Sequence, residues 1–338
     1  MNILGYIPSP PENGFHLGPF FIHAYGLAYV VAVAAAIMVT RALWRRDGGD
    51  PNLPQEIAVW AFPAGLIGGR IYFLITTPSQ MPPHWWGPFA IWKGGLGIWG
   101  GVAAGTLVGL WYVRRRGLTR AQVLRLMSCV APALLVAQAI GRIGNYFNQE
   151  LFGKPTRLPW ALEISPAHRP PGYGRFATFQ PTFLYEMLWD LSLAGLLAWL
   201  VSQRRVRDHG AFALYVAGYS GFRIFEETLR IDYSQYILGM RLNFWIALLG
   251  TLIGLVWFAW IQWRWWGLLG QRRQPTLPDQ TALAADGPLP AGRELRADGV
   301  LPADRALSGD GALAGAGAVR TTPAGRAKPR RPPGRRRT

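Results

Sequence analysis

The chain has 338 residues, of which 50% are hydrophobic and only 16% are charged. Soluble domains carry about 25% charged residues, so this composition favours a protein that is embedded in lipid. The formal net charge of +17 does not indicate a nucleic-acid partner, because the cations form short clusters between apolar runs and gather again beyond residue 270.

Long apolar stretches predict about seven transmembrane helices, since a helix needs about 20 residues to cross the hydrocarbon core. In chain order these stretches cover residues 20–43, 56–75, 95–113, 123–145, 182–201, 211–229 and 242–266. The predicted fold class is therefore all-α, a polytopic membrane protein. No Lys or Arg precedes Arg41, so a cleaved signal peptide with a basic start is not expected. The single cysteine, Cys129, lies in an apolar run and is expected to be a small buried residue.

The charges of the connecting loops predict the orientation of the helices. Clusters of arginine follow the first, third, fifth and seventh predicted helices, whereas residues 76–92 contain no Lys or Arg. By the positive-inside rule, the N-terminus then lies outside and the C-terminus inside. The long loop of residues 146–181 breaks the pattern with four cations, and it is predicted to form a small outer subdomain.

The end of the chain differs in composition from the rest. Residues 271–338 consist largely of Ala, Gly, Pro and Arg and contain few large apolar side chains. Such a segment cannot bury enough surface to fold, so it is predicted to be a disordered basic cytoplasmic tail behind a transmembrane domain of residues 1–270. The tail either adheres to anionic lipid headgroups through its arginines or is solvated without a specific partner.

A charged side chain at bilayer depth costs free energy, so ionisable residues in the predicted spans are candidate functional residues. Arg142 and Asn145 lie three residues apart near the end of the fourth predicted helix and share one face. A guanidinium group matches the geometry of a phosphate, and Asn145 adds a donor without adding charge. Asn148 and Glu150 follow where this helix is expected to end. In the alternative interpretation, Arg142 reaches toward water and pairs with Glu150.

The sixth predicted helix contains a second group of charges. Arg223, Glu227 and Arg230 are spaced by four and three residues, which places them on one side of the helix. Arg223 and Glu227 belong either to a functional site or to an internal structural ion pair. Arg230 lies near the predicted outer surface and could simply extend to the interface.

Residues of two further predicted helices complete the candidate site. Tyr25 and Tyr29 share a face of the first predicted helix, where a buried hydroxyl needs a polar partner, although both could be interfacial aromatics. Arg70 follows two glycines in the second predicted helix and is a third potential phosphate ligand, or an arginine that extends to water. If these side chains converge at the outer ends of the helices, they form a pocket for an anionic lipid headgroup.

Seven motifs resemble segments of the prolipoprotein diacylglyceryl transferase family, and they occur along the chain in the same order as in that family. The segment GRIGNYFNQELFG at residues 141–153 is similar to the family's defining motif. The others are HAYGLAY at 23–29, GLIGGRIYFL at 65–74, IWKGGLGIWGG at 91–101, QPTFLYE at 180–186, GFRIFEETLR at 221–230 and GMRLNFW at 239–245. The resemblance covers roughly residues 15–265 and excludes the tail.

The resemblance implies an enzyme of the bacterial cytoplasmic (inner) membrane. Such an enzyme passes the diacylglyceryl group of phosphatidylglycerol to the lipobox cysteine in the signal peptide of a prolipoprotein, forms a thioether and releases glycerol-1-phosphate. It needs no cofactor or metal. By motif position, the resemblance implies catalytic roles for Arg142, Arg223, Tyr25 and Glu150. The substrate-binding residues that we expect are Arg142, Asn145, Asn148, Gly153, Glu227, Arg70 and Arg230.

One position departs from the family pattern. Many members have a histidine, a proposed base, in the glycine-rich segment before the third helix, where this chain has Trp99. An indole cannot accept a proton at neutral pH, so the role of the base is either absent or filled by another group. Tyr25 and Glu150 are the substitutes that the sequence offers, and nearby arginines would also ease ionisation of the thiol.

Two other classes of protein can place charges within helices. A secondary transporter or lipid flippase would line a path with them, although transporters commonly contain inverted repeats and midplane charges. Neither feature is visible in this sequence. A receptor or scaffold without enzymatic activity would leave the Arg, Asn and Glu clusters unexplained.

Overall fold

The chain is described by a computed structural model that covers residues 5–81, 83–90, 94–207 and 209–272. Within these ranges, seven α-helices of 18 to 31 residues form the body of the protein. They are α1 (Ala24–Arg46), α2 (Leu53–Thr76), α3 (Ile98–Arg115), α4 (Arg120–Asn148), α5 (Thr182–Ser202), α6 (Gly210–Leu229) and α7 (Leu242–Arg272). The predicted tail lies outside the described residues from 273 onward.

Five of these helices are long and apolar enough to cross a membrane. They are α1, α2, α4, α5 and the segment Leu242–Trp263 of α7. The chain is therefore a helical, polytopic membrane protein, as the sequence predicted. The helix α6 contains Arg223, Glu226 and Glu227, which lower its mean hydropathy, and α3 is rich in glycine and ends in arginines. The crossing of the membrane by all seven helices and the orientation of the termini remain predictions.

In the described part of the chain, three short antiparallel hairpins lie outside the helices, and the sequence did not predict them. The strands β1 (Gly14–Leu17) and β2 (Phe20–His23) precede α1. The pair β3 (Leu162–Glu163) and β4 (Thr178–Phe179) lies between α4 and α5, and the pair β5 (Tyr236–Ile237) and β6 (Met240–Arg241) lies between α6 and α7. The first predicted helix began at residue 20 because a short apolar run reads equally well as strand or helix.

Helix α4 lies at the centre of the helical body. It packs against α1, α5 and α6, while α7 packs against α6 and α2 against α3. Its first turn is closed by a capping box in which Thr119 accepts from the backbone of Gln122 and the Gln122 side chain accepts from the backbone of Thr119. Cys129 and Leu135 are completely buried on this helix. Because α4 is central, side chains from three other helices can meet at its end.

The loop between α4 and α5 has a small apolar core of its own. Phe152, Leu162, Ile164 and Phe179 are buried there. The backbone of Ile7 pairs with the strand at Leu162, so the N-terminal segment also lies against this loop. The same end of the helices carries the hairpin between α6 and α7. The N-terminal segment, the loop between α4 and α5 and the hairpin between α6 and α7 thus lie at the same end of the helices, where α4 and α6 finish and α5 and α7 begin.

Glycines allow the backbones of α2 and α3 to pack closely, and substitution of one of them tests this packing. A Cβ atom at Gly100 would collide with the backbone oxygen of Gly68, whereas one at Gly109 would make an ordinary contact of 3.7 Å with Ile57. We expect Gly100→Ala to lower the free energy of unfolding in detergent by about 1–3 kcal/mol through overpacking. Gly109→Ala is the matched control and should not lower it, since alanine favours the helix. Equal effects of the two changes would contradict this packing.

Candidate active site

The side chain of Arg142 is recessed from the end of α4. It lies six residues before Asn148, or about 9 Å along the helix axis. Its Nη2 atom is 2.5 Å from Oε1 of Glu186 on α5 and also donates to the Tyr219 hydroxyl at 3.4 Å. Its Nη1 atom donates to Oδ1 of Asn145 at 3.2 Å. Arg142 therefore faces the interior of the helical body and joins α4 to α5 and α6.

Arg223 on α6 points into the same region. Its Nη1 atom is 2.6 Å from Oε2 of Glu226 and 3.6 Å from Oε2 of Glu186. Its Nη2 atom is 2.7 Å from Oε1 of Glu227. The carboxylate of Glu186 thus lies between Arg142 and Arg223. The structure brings together the two arginines that the sequence assigned to one site.

The chain reverses direction just after α4, so that the Glu150 side chain contacts residues of this helix. Gln149 and Leu151 adopt left-handed backbone conformations with φ of 51° and 58°, which reverses the chain. Oε1 of Glu150 then accepts hydrogen bonds from the side-chain amides of Asn145 at 2.8 Å and Asn148 at 3.3 Å. Glu150 is therefore linked to the arginine cluster through Asn145, not by the direct ion pair with Arg142 that was one alternative.

Tyr25 approaches the site from α1. Its ring packs against Gly144, where a Cβ atom would collide with it, so the glycine permits the close approach of α1 to α4. The ring centroids of Tyr25 and Tyr29 are 5.1 Å apart, which confirms that they share a face. Tyr29 is about half exposed at the surface of the helices. Tyr25 therefore lies beside the segment that contains Arg142 and Asn145.

A second ion-pair network is joined to Arg223 through Glu227. Nε of Arg241 is 2.7 Å from Oε2 of Glu227, so Glu227 bridges two arginines. Arg241 also pairs with Asp232 at 3.0 Å, and Arg230 pairs with Asp232 at 2.7 Å. Burial raises the pKa of Asp232, but hydrogen bonds and charges from these two arginines outweigh it, and its pKa lies below the ordinary value.

Gly153 positions the outer loop against this network. Its N–H donates to the carbonyl of Gln180 at 2.9 Å, and it forms a bridge with Arg230. A Cβ atom at Gly153 would lie 2.8 Å from Cβ of Gln180 and 3.0 Å from the carbonyl oxygen of Leu229. Gly153 and Arg230 are thus in contact with each other. Both lie beside the network around Asp232, and they are not joined directly to Arg142 or Arg223 among the described contacts.

Arg70 is not brought into the arginine cluster. Its guanidinium group is buried and donates to backbone carbonyls of the loop that precedes α3. The acceptors are Gly87 at 2.6 Å, Pro88 at 2.8 Å, Gly94 at 2.7 Å and Gly95 at 2.9 Å. These bonds give Arg70 a structural role in holding the loop, so its assignment as a phosphate ligand remains a prediction that the geometry does not favour.

Sequence reasoning missed two acidic residues of the cluster, Glu226 and Asp190. It named Glu186 as a residue of the QPTFLYE segment that could cap the fifth helix or line the outer cavity. All three are almost completely buried, and neither carboxylate oxygen of Asp190 has a hydrogen-bond partner among the described residues. The rule that identified Arg142, a charge inside an apolar stretch, would have found Asp190 as well. No group of three His, Cys, Asp or Glu side chains in the described ranges is arranged to hold a metal ion.

An apolar groove lies beside the cluster on the outside of the helices. It has a volume of about 410 Å³ and runs between α5 and α6. Its lining residues are Tyr185, Leu188, Trp189, Ser192, Phe222 and Phe225. Because Tyr185 adjoins Glu186 and Phe222 adjoins Arg223 in the chain, the groove and the charged cluster lie at the same level of the two helices.

Fold and site together define a polytopic membrane protein with a buried arginine–carboxylate cluster near one end of its helices. The sequence matches the family described as prolipoprotein diacylglyceryl transferase over residues 12–260. It is 45% identical over 262 residues to the phosphatidylglycerol–prolipoprotein diacylglyceryl transferase of Frankia alni. The matched region covers 75% of this chain and 68% of that protein. Similar enzymes of Streptomyces coelicolor and Cutibacterium acnes are 44% and 46% identical, covering 73% and 70% of this chain and 78% and 80% of theirs. The chain belongs to the prolipoprotein diacylglyceryl transferase family.

Proposed function

We propose that this chain transfers the diacylglyceryl group of phosphatidylglycerol to prolipoproteins. The observation that carries the proposal is the pair of arginines, with side chains 16% and 19% exposed, on one buried carboxylate, in a chain that belongs to this family of transferases. Transport and scaffolding, the other classes that the sequence left open, are not favoured by the family or by its named relatives.

The chemistry requires stabilisation of a phosphate leaving group. The acceptor is the thiol of a lipobox cysteine in the signal peptide, whose sulfur attacks the glycerol carbon that bears the phosphate ester. A C–S bond forms, the C–O bond breaks, and the electron pair stays on the phosphate of glycerol-1-phosphate. Arg142 and Arg223 bind this phosphate and stabilise its developing charge, which is electrostatic catalysis by fixed donors.

Other residues of the cluster hold these arginines in place. Asn145 accepts from Arg142 and donates to Glu150, which leaves Glu150 and Asn148 to orient the end of α4. Glu227 orients Arg223 against Arg241. The apolar groove between α5 and α6 offers a place for an acyl chain next to the phosphate, so the ester bond can reach the cluster from the lipid phase.

The placement in the cell follows from the same proposal. All seven helices cross the bacterial cytoplasmic (inner) membrane, with the N-terminus outside and the C-terminus inside. The cluster then faces the outer leaflet, where a secreted prolipoprotein presents its signal peptide. Residues 146–181 form the outer subdomain of a domain of residues 1–270, and residues 271–338 form a basic cytoplasmic tail.

A direct assay tests the proposal. Purified protein in vesicles that contain phosphatidylglycerol should add the mass of a diacylglyceryl group to the cysteine of a lipobox peptide and release glycerol-1-phosphate. A peptide with serine in place of cysteine, and vesicles of phosphatidylcholine alone, are the controls. Release of glycerol-1-phosphate without modification of the peptide, or no product at all, would refute the transferase assignment.

A further inference from the structure

The buried cluster contains more carboxyl groups than its phosphate-binding arginines can neutralise. Arg142 and Arg223 are surrounded by Glu186 and Glu226 and lie near Asp190, while the charge of Glu227 is shared with Arg241. A site built only to bind an anion needs few buried carboxylates beyond those that orient its arginines, because each further one competes with the ligand. At least one of these groups therefore has a task of its own.

We propose that Glu186 is the general base that removes the proton from the acceptor thiol. This inference rests on the proposed function and names a catalytic residue for it. Glu186 begins the second turn of α5, and its side chain is 1% exposed. Oε1 contacts Arg142. Oε2 is 3.6 Å from Arg223 and accepts no hydrogen bond from a donor among the described residues, and the carboxyl group of Glu226 lies against Glu186. One oxygen of Glu186 is thus held by Arg142, while the other has no donor and can receive a proton.

Binding of the lipid substrate frees the carboxylate of Glu186 from the arginines. The phosphodiester of phosphatidylglycerol has to bind the same guanidinium groups that Glu186 contacts in its absence. When the phosphate takes over the donors of Arg142 and Arg223, Glu186 loses its ion-pair partners, and its oxygens are open to the acceptor thiol. The base is therefore held inactive by the arginines and released when the lipid binds.

The other candidate bases are placed less well. Trp99 occupies the position of the family histidine, has no basic atom and is 60% exposed. The hydroxyl of Tyr25 would have to ionise before it could accept a proton. Glu150 already accepts two amide hydrogen bonds on Oε1, and within the described ranges its link to the arginines runs through Asn145. Among the described carboxylates of the cluster, Glu186 alone contacts both Arg142 and Arg223. Glu226 and Glu227 contact Arg223, and Asp190 forms no ion pair with either arginine.

The proton and the electrons balance in this step. The thiol proton passes to Oε2 of Glu186, the sulfur forms its bond to the glycerol carbon, and the electron pair of the broken C–O bond stays on the phosphate. Glu186 then returns the proton to an oxygen of the leaving phosphate, which departs as the singly protonated monoester. The carboxylate is restored to its starting form, and no oxidant, reductant or further reactant is needed.

The test is Glu186→Gln, which keeps the size of the side chain and removes its basicity. At neutral pH we expect kcat for a cysteine peptide to fall about 10²- to 10⁴-fold, the range of general-base catalysis. The KM for phosphatidylglycerol should stay unchanged or fall, because a competing anion has been removed. The deficit should shrink as the pH rises past about 8.5, where the thiol ionises unaided. A selenocysteine peptide, whose selenol is ionised at neutral pH, should restore most of the rate.

Controls separate this role from a structural one. Asp47→Asn removes another ion-paired carboxylate, 11% exposed, which contacts Arg125 at 2.5 Å near the opposite end of α4, and it should leave kcat per folded molecule unchanged. Glu186→Asp keeps the charge, so it serves if the glutamine variant does not fold, and its smaller loss should also be rescued by the selenol. A deficit that is equal at every pH and with both peptides would overturn the inference. Failure of the wild-type protein to form thioether would instead overturn the proposed function.

Discussion

Replacing Arg142 with alanine is expected to abolish diacylglyceryl transfer, with kcat lowered at least about 10²- to 10³-fold. This is the loss that follows removal of one donor to a developing oxyanion, and here the donor also carries a full charge. The measurement is the mass gained by a lipobox peptide in vesicles of phosphatidylglycerol. Arg142→Lys should recover only part of the activity, since an ammonium group cannot form the forked pair of hydrogen bonds.

A second consequence distinguishes catalysis from folding. Arg142→Ala leaves the buried Oε1 of Glu186 without its partner, so the single variant should also be less stable. The double variant Arg142→Ala/Glu186→Gln removes the stranded charge and should regain thermal stability while remaining inactive. Arg204, whose side chain is 72% exposed at the other end of the helices, provides the matched arginine-to-alanine control. Full activity of Arg142→Ala would exclude its assigned role.

The segment around Arg142 shows what the sequence predicts well. Helical spacing placed Arg142 and Asn145 on one face, and the structure joins them by a hydrogen bond. The same arithmetic paired Arg223 with Glu227, which is observed at 2.7 Å. These predictions succeed because residues three or four apart on a helix must be neighbours whatever the rest of the chain does.

Contacts between distant segments explain what the sequence could not give. Glu186 lies 44 residues from Arg142 along the chain, and its ion pair depends on how α5 packs against α4. Arg70 shows the converse, since its charge within an apolar run resembled that of a ligand. Only the path of the loop before α3 reveals that four backbone carbonyls take up its donors. The spacing of residues along one helix does not predict how α5 packs against α4 or which path the loop before α3 takes.

Removing Arg241 is expected to cause the largest loss of stability. Arg241 is 5% exposed and pairs with Glu227 and Asp232, so Arg241→Ala would leave Glu227 with Arg223 as its cation and Asp232 with Arg230 as its cation. Breaking a buried pair costs about 3–5 kcal/mol when one charge is left alone, so we expect a loss of about 3 kcal/mol, to be measured by unfolding in mixed micelles. Arg241→Lys retains the charge without the fork and should fall in between. In a cycle with Glu227→Gln, the double variant should lose less stability than the sum of the single changes; additive losses would show that the two side chains do not interact.

The pH dependence of stability follows from the same network. The pKa of Asp232 is lower in the folded protein than its ordinary value, so the folded state is stabilised above about pH 4. This contribution disappears as the pH falls through the lower folded pKa. Without Arg241, part of the cause of the lowered pKa is absent, so the variant should lose less stability than the wild type on acidification. Because Glu227 also holds Arg223, Arg241→Ala should lower transfer activity as well, although Arg241 itself does not touch the phosphate site.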